Sequence, residues 1–274
     1  LVVRSLVRYF WGSSKTGNSM KIITSITYLL MVITNALANI LPINRVNTAQ
    51  VSDYYPNLFA PSGLTFSIWG LIYVLLAIYT LYQIGLFQGD KRTVKFELLS
   101  KINMLFSISS IANVFWIFSW HYFMIPFSML LIVVILICLI RINQMTSREQ
   151  LTSKEKIFIR LPFSVYFGWI TVATIANATT LFVHFGWKGF GVSEPIWAVL
   201  VLIIGMLIGS VTLFKNRDIA YGLVLIWAYL GIYIKHSSAS GFFGQYPAVM
   251  YTVIACIAIF FITMVYKQFS KKLI

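Results

Sequence analysis

The chain has 274 residues, of which 59% are hydrophobic and 10% are charged, and its net charge is +14. This small number of charged residues cannot cover the surface of a soluble protein of this length. The composition therefore excludes an ordinary soluble enzyme. Long apolar runs recur along the whole sequence, and only helices satisfy their own backbone groups in lipid. We therefore predict an all-α fold, a polytopic transmembrane helical bundle whose first partner is the lipid bilayer.

Eight apolar segments are each close to the roughly 20 residues that cross about 30 Å of hydrocarbon. In chain order they are residues 22–43, 64–85, 99–120, 123–141, 157–183, 195–214, 219–235 and 246–266. We predict a basic N-terminal extension over residues 1–19, a five-helix membrane domain over 20–185 and a three-helix C-terminal membrane extension over 186–274.

The basic residues are distributed unevenly across this topology. Eighteen of the 21 Lys and Arg residues fall on one side, and Arg45, Lys188 and Lys235 fall on the other. Because basic residues concentrate on the cytoplasmic side of membrane proteins, we expect both termini in the cytoplasm. The topology accounts for the positive charge, so no nucleic-acid partner is expected.

Ionisable residues are missing from the predicted membrane midplane. The seven acids lie in loops or at span ends, at Asp53, Asp90, Glu97, Glu149, Glu155, Glu194 and Asp218. Pumps and ion-coupled carriers usually need such a group inside the membrane, so the pattern argues against them. No P-loop, HExxH or GxSxG motif supports an ATPase or hydrolase, and no catalytic residue is assigned.

Cysteine and histidine give no local metal-site pattern. Cys138 and Cys256 lie far apart inside apolar runs and are interpreted as small buried hydrophobic residues. His121, His184 and His236 each fall at a span end that the topology places outside. They are either interfacial polar residues or ligands of a metal or haem, and their spacing leaves both interpretations open.

Aromatic and amide side chains recur at helical spacing on three spans. They are Phe66, Trp69 and Tyr73 in the second span, Asn113, Trp116 and Trp120 in the third, and Tyr166, Trp169, Ala173 and Asn177 in the fifth. Trp and Asn are disfavoured at a lipid-facing midplane, so these stripes favour the bundle interior. Helix packing explains any one stripe, whereas three converging stripes favour a binding pocket.

These residues carry a family resemblance. The stretch PNLFAPSGLTFSIWGLIYVLLAIYTLY (56–82), with its Trp69-Gly70-x-x-Tyr73 core, resembles the first loop and second helix of the TspO/MBR family, the tryptophan-rich sensory or translocator proteins. Asn113 with Trp116 resembles the motif of the family's third helix. Tyr166 and Trp169, with Asn177 eight residues after the tryptophan, resemble that of the fifth. The similarity covers roughly residues 20–185.

The chain also departs from the family pattern. Tyr54-Tyr55-Pro56-Asn57 stands where many members have a Trp-Asn-Pro-Pro type loop. The step from Phe66 to Trp69 is one residue shorter than is common, and Pro162 comes earlier than the usual proline of the fifth helix. The last three spans lie outside the five-helix family core, which is typical of a long, divergent member.

The resemblance implies a ligand and roles for the site residues. Porphyrins and other tetrapyrroles are typical family ligands, with sterols in some members, bound in a five-helix pocket that opens toward the first loop. Trp69, Trp116 and Trp169 would then stack on a flat ligand while Asn113 and Asn177 donate hydrogen bonds. Arg45 or His121 would pair with a carboxylate, and residues 54–63 would form a lid. The expected location is a bacterial cell membrane.

Three alternatives remain open on the sequence. The same pocket would serve a binding or sensory protein, a transporter or permease component for a small apolar or amphipathic solute, or an enzyme that degrades porphyrin photochemically. No cofactor beyond a tetrapyrrole ligand is expected. Gly205 and Gly209 form a GxxxG motif, which either packs the extra helices or forms a homodimer contact.

Overall fold

The computed structural model describes residues 14–41, 43–88, 94–187 and 189–269. Within these ranges eight helices are long and apolar enough to cross a membrane, which confirms the predicted all-α bundle. They are α1 (Ser14–Ile40), α2 (Ile68–Gln83), α3 (Phe96–His121), α4 (Ile125–Arg148), α5 (Leu161–His184), α6 (Glu194–Asn216), α7 (Ile219–Ser237) and α8 (Pro247–Phe269).

Some predicted features differ from the structure or fall outside its described part. Residues 1–13 of the predicted N-terminal extension are not described, and residues 14–19 already belong to α1. Lys91, Arg92, Lys188, Lys271 and Lys272 of the charge argument are likewise not described. Helix α4 continues to Arg148 rather than ending at 141, because a helix satisfies its own backbone outside the membrane as well as inside.

The first five helices form one group. Helix α3 packs between α1 and α4, α5 packs on α4, and α2 closes the group by contacting both α5 and α1. The last three helices pack on one another, with α8 against both α6 and α7. Helix α7 joins the groups because it lies along α5. We call the end of the bundle that carries residues 44–67 the loop end, and the other the opposite end.

Glycine sets the closeness of the α5–α7 contact. A Cβ added at Gly168 would lie 2.9 Å from the Cβ of Val224 and 3.0 Å from the carbonyl oxygen of Tyr221. Any side chain at this position would therefore push α7 away from α5. Hydrogen as the side chain lets the two backbones approach, as small residues commonly do between membrane helices.

The GxxxG glycines of α6 face neighbours within the same chain. A Cβ on Gly205 would lie 2.6 Å from the hydroxyl of Tyr229, and one on Gly209 would lie 2.5 Å from Leu225 Cδ1 and 2.8 Å from Phe260 Cε1. The motif thus supports the packing of α6 on α7 and α8, the first of its two predicted roles.

A proline explains the irregular start of α5. Pro162 has no backbone N–H, and its ring would collide with the carbonyl of residue 158 in a regular helix. The preceding turn, Lys156–Arg160, widens into a π-helix in which the Leu161 N–H donates to the Lys156 oxygen. The chain therefore remains helical from Ser153 to His184.

A buried carboxylate ties the two groups together at the opposite end. Asp218 caps α7 by accepting from the Tyr221 N–H at 3.2 Å, and it also accepts from Ser164 of α5 and from Asn143 of α4 at 3.1 Å. The Arg160 guanidinium lies 3.8 Å away and supplies the opposite charge. Helices α4, α5 and α7 thus meet at one acidic side chain that is only 6% exposed.

Candidate functional site

The three aromatic stripes converge on one cavity of about 40 Å³ between α2, α3 and α5. We call it the central cavity. Seven of the ten predicted site residues line it: Phe66, Trp69, Trp116, Trp120, Trp169, Ala173 and Asn177. Ser52 and Pro61 form its roof at the loop end, and Val172, Ala176 and Thr180 complete the wall on α5.

Four indole rings line the central cavity. Trp69 stands at the centre, with its ring centroid 6.1 Å from that of Trp169 and 6.3 Å from that of Trp116. Trp116 in turn stacks on Trp120 at 5.5 Å and 19°. Phe66 meets Trp169 edge to face at 5.8 Å. Such edge and face contacts are the arrangements that aromatic rings prefer, and they present flat apolar faces to the cavity.

Two of the cavity indoles have hydrogen-bond partners. The Trp116 Nε1–H donates to the Asn177 side-chain oxygen at 3.0 Å, and the Asn177 amide donates to the hydroxyl of Ser128 on α4 at 3.1 Å. The Trp120 Nε1–H donates to the backbone oxygen of Thr48 in the loop at 3.1 Å. These bonds fix both rings and leave Asn177 engaged inside the protein.

Trp169 differs from its neighbours. Its side chain is 3% exposed, and its Nε1–H has no hydrogen-bond partner among the described residues. Leaving a buried donor unpaired costs about 1–3 kcal/mol. An acceptor brought into the cavity by water or by a ligand would recover that cost.

The remaining three predicted residues lie beside the cavity rather than on its wall. Asn113 is fully buried, accepts from the Asn35 amide of α1 at 2.6 Å and donates to the Tyr166 hydroxyl at 3.4 Å. Tyr166 contacts Trp69 edge to face at 6.0 Å, and Tyr73 stacks on Trp69 at 5.6 Å and 18°. Tyr73 and Tyr166 therefore pack against Trp69, and Asn113 is hydrogen-bonded to Tyr166.

A second space, which we call the α1–α2 groove, adjoins the central cavity. Its volume is about 470 Å³, and Phe66 and Trp69 line both spaces, so these two side chains form the wall between them. Tyr73 and the amides of Asn35, Asn39 and Asn47 also line the groove. The Tyr73 hydroxyl is buried without a partner among the described residues.

The loop over the cavity is folded and bears a short helix, Thr48–Tyr54, which we call the loop helix. Asn47 begins it with a capping box: its side chain accepts from the Gln50 N–H while the Gln50 side chain accepts from the Asn47 N–H. Residues 54–63, predicted as a lid, follow this helix and lead to the Gly63–Ser67 turn before α2.

Helix α7 holds this loop through four polar contacts. The Ser62 N–H donates to the Gly231 oxygen at 3.0 Å, and the Trp227 Nε1–H donates to the Thr65 oxygen at 3.1 Å. Two further contacts lie at the helix end, between His236 Nε2 and the Leu58 oxygen at 2.9 Å, and between Lys235 and Asp53 at 2.7 Å. We call these contacts the α7 clamp.

The histidines and Arg45 do not reach the central cavity. His121 is fully buried, with Nε2 3.2 Å from the Thr48 hydroxyl and Nδ1 3.2 Å from the Ile43 oxygen. His184 contacts the Tyr55 hydroxyl through Nδ1 at 3.2 Å, and Arg45 is exposed on the turn after α1. Within the described ranges no three His, Cys, Asp or Glu residues group as a metal site.

A comparison with protein families identifies the fold. The sequence profile described as TSPO-like protein matches residues 21–266, which extend from α1 into α8 and so include the last three spans that the predicted resemblance over 20–185 left out. The chain belongs to the TspO/MBR family. It is an integral multi-pass membrane protein of that family. No curated protein and no solved structure matches the chain.

Several site residues of this TspO-type chain were not predicted from the sequence. Asn35 pairs with Asn113, and its signal was an amide inside an otherwise apolar span. Ser128 holds Asn177, but a serine in a membrane helix is too common to single out. Ser52 and Pro61 reach the cavity only because the loop folds over it, which local spacing does not reveal.

Proposed function

We propose that this TspO-type protein binds a flat apolar ligand, a tetrapyrrole or a similar ring system, in the central cavity. The observation that carries the proposal is that Trp169, one of four tryptophans that line the cavity, has a buried Nε1–H without a partner among the described residues. Indole faces stack on conjugated rings, and the free N–H offers one directed hydrogen bond to a ligand carbonyl or carboxylate.

The size of the cavity defines how such a ligand would bind. Pockets for organic ligands usually enclose about 300–1,000 Å³, whereas the central cavity has about 40 Å³. The adjoining α1–α2 groove adds about 470 Å³ once Phe66 and Trp69 move aside. The proposal therefore includes a rearrangement of these two side chains that joins the two spaces.

The residues that line the two spaces favour a ligand that is bound by stacking of its ring and by hydrogen bonds to its acceptor atoms. The described residues that line the cavity and the groove include no His, Cys or Met and no carboxylate. Of the side chains that serve as axial ligands of a haem iron, these described residues offer only the Tyr73 hydroxyl, which lines the groove. The residues of the central cavity fit a metal-free ring that stacks on Trp69 and accepts from Trp169.

The packing at the opposite end supports binding rather than transport. There the Tyr79 hydroxyl donates to Asn103 at 2.6 Å, and the Asn103 amide donates to Gln83 at 3.1 Å. Thr24 of α1 joins the same network, because its hydroxyl donates to the Asn103 backbone oxygen at 3.3 Å. These bonds close the core between α1, α2 and α3, so a transport path would have to break several buried hydrogen bonds at once.

The charge distribution supports an orientation in the membrane. The sequence topology puts 18 of the 21 Lys and Arg residues on one side, and those of them that the structure describes lie toward the opposite end of the bundle. Because that excess marks the cytoplasmic side, the loop end faces outward and both termini are cytoplasmic. A bacterial cell membrane remains part of the proposal.

Titration of the purified protein in detergent with protoporphyrin IX tests the proposed function. Tryptophan quenching should saturate in the wild type. The Trp69→Phe, Trp169→Phe double variant should bind roughly 30-fold more weakly, because one stacking face and one hydrogen bond are lost.

The matched control removes two indoles that lie outside the central cavity, by Trp187→Phe with Trp197→Phe. This control should keep the wild-type affinity. Linear quenching that neither double variant changes would mean partition into the micelle and would contradict the proposal.

A further inference from the structure

A space larger than the central cavity and the α1–α2 groove lies between the outer faces of α5 and α6. Its volume is about 710 Å³, within the range of ligand pockets. We call it the α5–α6 crevice. Thr179 and Phe182 of α5 form one side, Val201 and Ile204 of α6 form the other, and Leu58 of the loop lies at the closed edge.

The mouth of the crevice is rigidly built. The Trp197 Nε1–H donates to the Gly189 oxygen at 2.9 Å. Gly189 has a φ of +61°, and a Cβ there would lie 2.5 Å from Trp197 Nε1, so both its backbone and its contact require glycine. Trp187 lies against Trp197 at 4.9 Å and against Phe182 at 4.8 Å. Three aromatic rings therefore frame the opening.

The crevice has the length of one membrane leaflet. Glu194 begins α6 at the mouth and Ile204 is the lining residue furthest along that helix. Ten helical residues separate them, about 15 Å at 1.5 Å per residue, which is half of the roughly 30 Å hydrocarbon thickness. Trp187 and Trp197 stand at the level where interfacial tryptophans are expected.

Polarity changes along this length. At the mouth, Glu194 is exposed, and no ion pair within the described ranges involves its carboxylate. Deeper inside, Asn57 and Thr179 already have hydrogen-bond partners, because the Thr179 hydroxyl donates to the Ala176 oxygen at 2.8 Å and the Asn57 oxygen accepts from the Phe59 N–H at 3.1 Å. Below them Val201 and Ile204 offer only apolar surface. A ligand that fits this crevice therefore needs a cationic group near Glu194 and an apolar chain deeper inside.

We propose that the α5–α6 crevice is a specific site for one membrane lipid of the leaflet at the loop end, with an acyl chain along α6 and an ammonium-bearing head group near Glu194. The site depends on α6, so it belongs to the last three helices and lies apart from the central cavity. Phosphatidylethanolamine has the required chemistry, whereas phosphatidylglycerol lacks the cation.

Native mass spectrometry of the full chain, reconstituted with phosphatidylethanolamine or with phosphatidylglycerol, tests the proposal. One phosphatidylethanolamine should stay bound to the wild type under conditions that remove the other lipids. Val201→Trp fills the crevice and should lower this retention about tenfold. Leu200→Trp places the same ring on the exposed, lipid-facing side of α6 and should behave as wild type.

Glu194→Gln tests the head-group assignment with little risk to folding, because the residue is exposed. The wild type should prefer phosphatidylethanolamine about threefold, as expected for an exposed charge pair, and the variant should retain both lipids equally. Equal lipid loss from wild type and Val201→Trp would overturn the site. A wild-type preference for phosphatidylglycerol, or a dimer that covers the crevice without lipid, would overturn it as well.

Discussion

The first five helices and the last three use different means of packing. In their most apolar stretches, 67% of residues are buried in α3 and α5 and 39% in the other three helices of the first group, against 50% in α7, 28% in α6 and 22% in α8. Pairs such as Asn35 with Asn113 and Tyr79 with Asn103 cross the interior of the first group. The second group packs around Gly205 and Gly209 and exposes long apolar faces to lipid.

This comparison separates two roles. Interhelical hydrogen bonds fix side-chain positions and so provide the defined geometry that a ligand site requires. Glycine contacts fix only the distance between helices. The last three helices nevertheless act on the site, because α7 holds the loop over the central cavity through the α7 clamp.

The junction at Asp218 should give the largest stability effect. Asp218→Ala removes the acceptor of Ser164 and Asn143 and the counter-charge of Arg160, so the free energy of unfolding should fall by about 2–3 kcal/mol. Unfolding in mixed micelles measures it. Asp53→Ala, which breaks the exposed pair with Lys235, should cost less than about 1 kcal/mol. Equal losses would show that the two groups are not joined at Asp218.

The α5–α7 contact should give the next largest effect. Gly168→Ala forces a methyl group against Val224 and the Tyr221 carbonyl and should destabilise the protein by about 1–2 kcal/mol. Gly70→Ala provides the contrast, because nothing lies within 4 Å of a Cβ there. That change should stabilise α2 by up to about 1 kcal/mol through helix propensity. A destabilisation by both changes would contradict the packing described.

Breaking the α7 clamp should give the smallest effect, and we expect it in access to the central cavity rather than in the free energy of unfolding. Trp227→Phe removes the donor to Thr65, and one lost hydrogen bond should increase opening of the loop about fivefold. A Ser52→Cys reporter in the cavity roof, labelled with a maleimide, measures this opening, because Cys138 and Cys256 are buried. Trp187→Phe in the same background should leave the labelling rate unchanged, and unchanged labelling in Trp227→Phe would contradict the role of the clamp.

The fold was predictable because the length of each apolar segment and the uneven distribution of Lys and Arg between the loops can be read directly from the sequence. Eight spans and most of their bounds follow from those two signals. The continuation of α4 to Arg148 was not predictable, because polar helical residues outside the membrane resemble loop residues in composition.

The candidate site was predictable only in part. Helical spacing brought Trp69, Trp116 and Trp169 to one cavity, as the converging stripes indicated. The unpaired state of the Trp169 Nε1–H depends on which acceptors other helices supply, and local spacing contains no such information. The α7 clamp and the small volume of the cavity depend likewise on contacts between residues far apart in sequence.

The measurement that tests the central claim most directly is a protoporphyrin IX titration of two space-filling variants, one in each group of helices. Ala173→Leu fills the central cavity, and Val201→Trp fills the α5–α6 crevice. We predict that Ala173→Leu abolishes saturable binding while Val201→Trp retains the wild-type affinity. Loss of binding in Val201→Trp with full binding in Ala173→Leu would place the ligand on the last three helices and contradict the account.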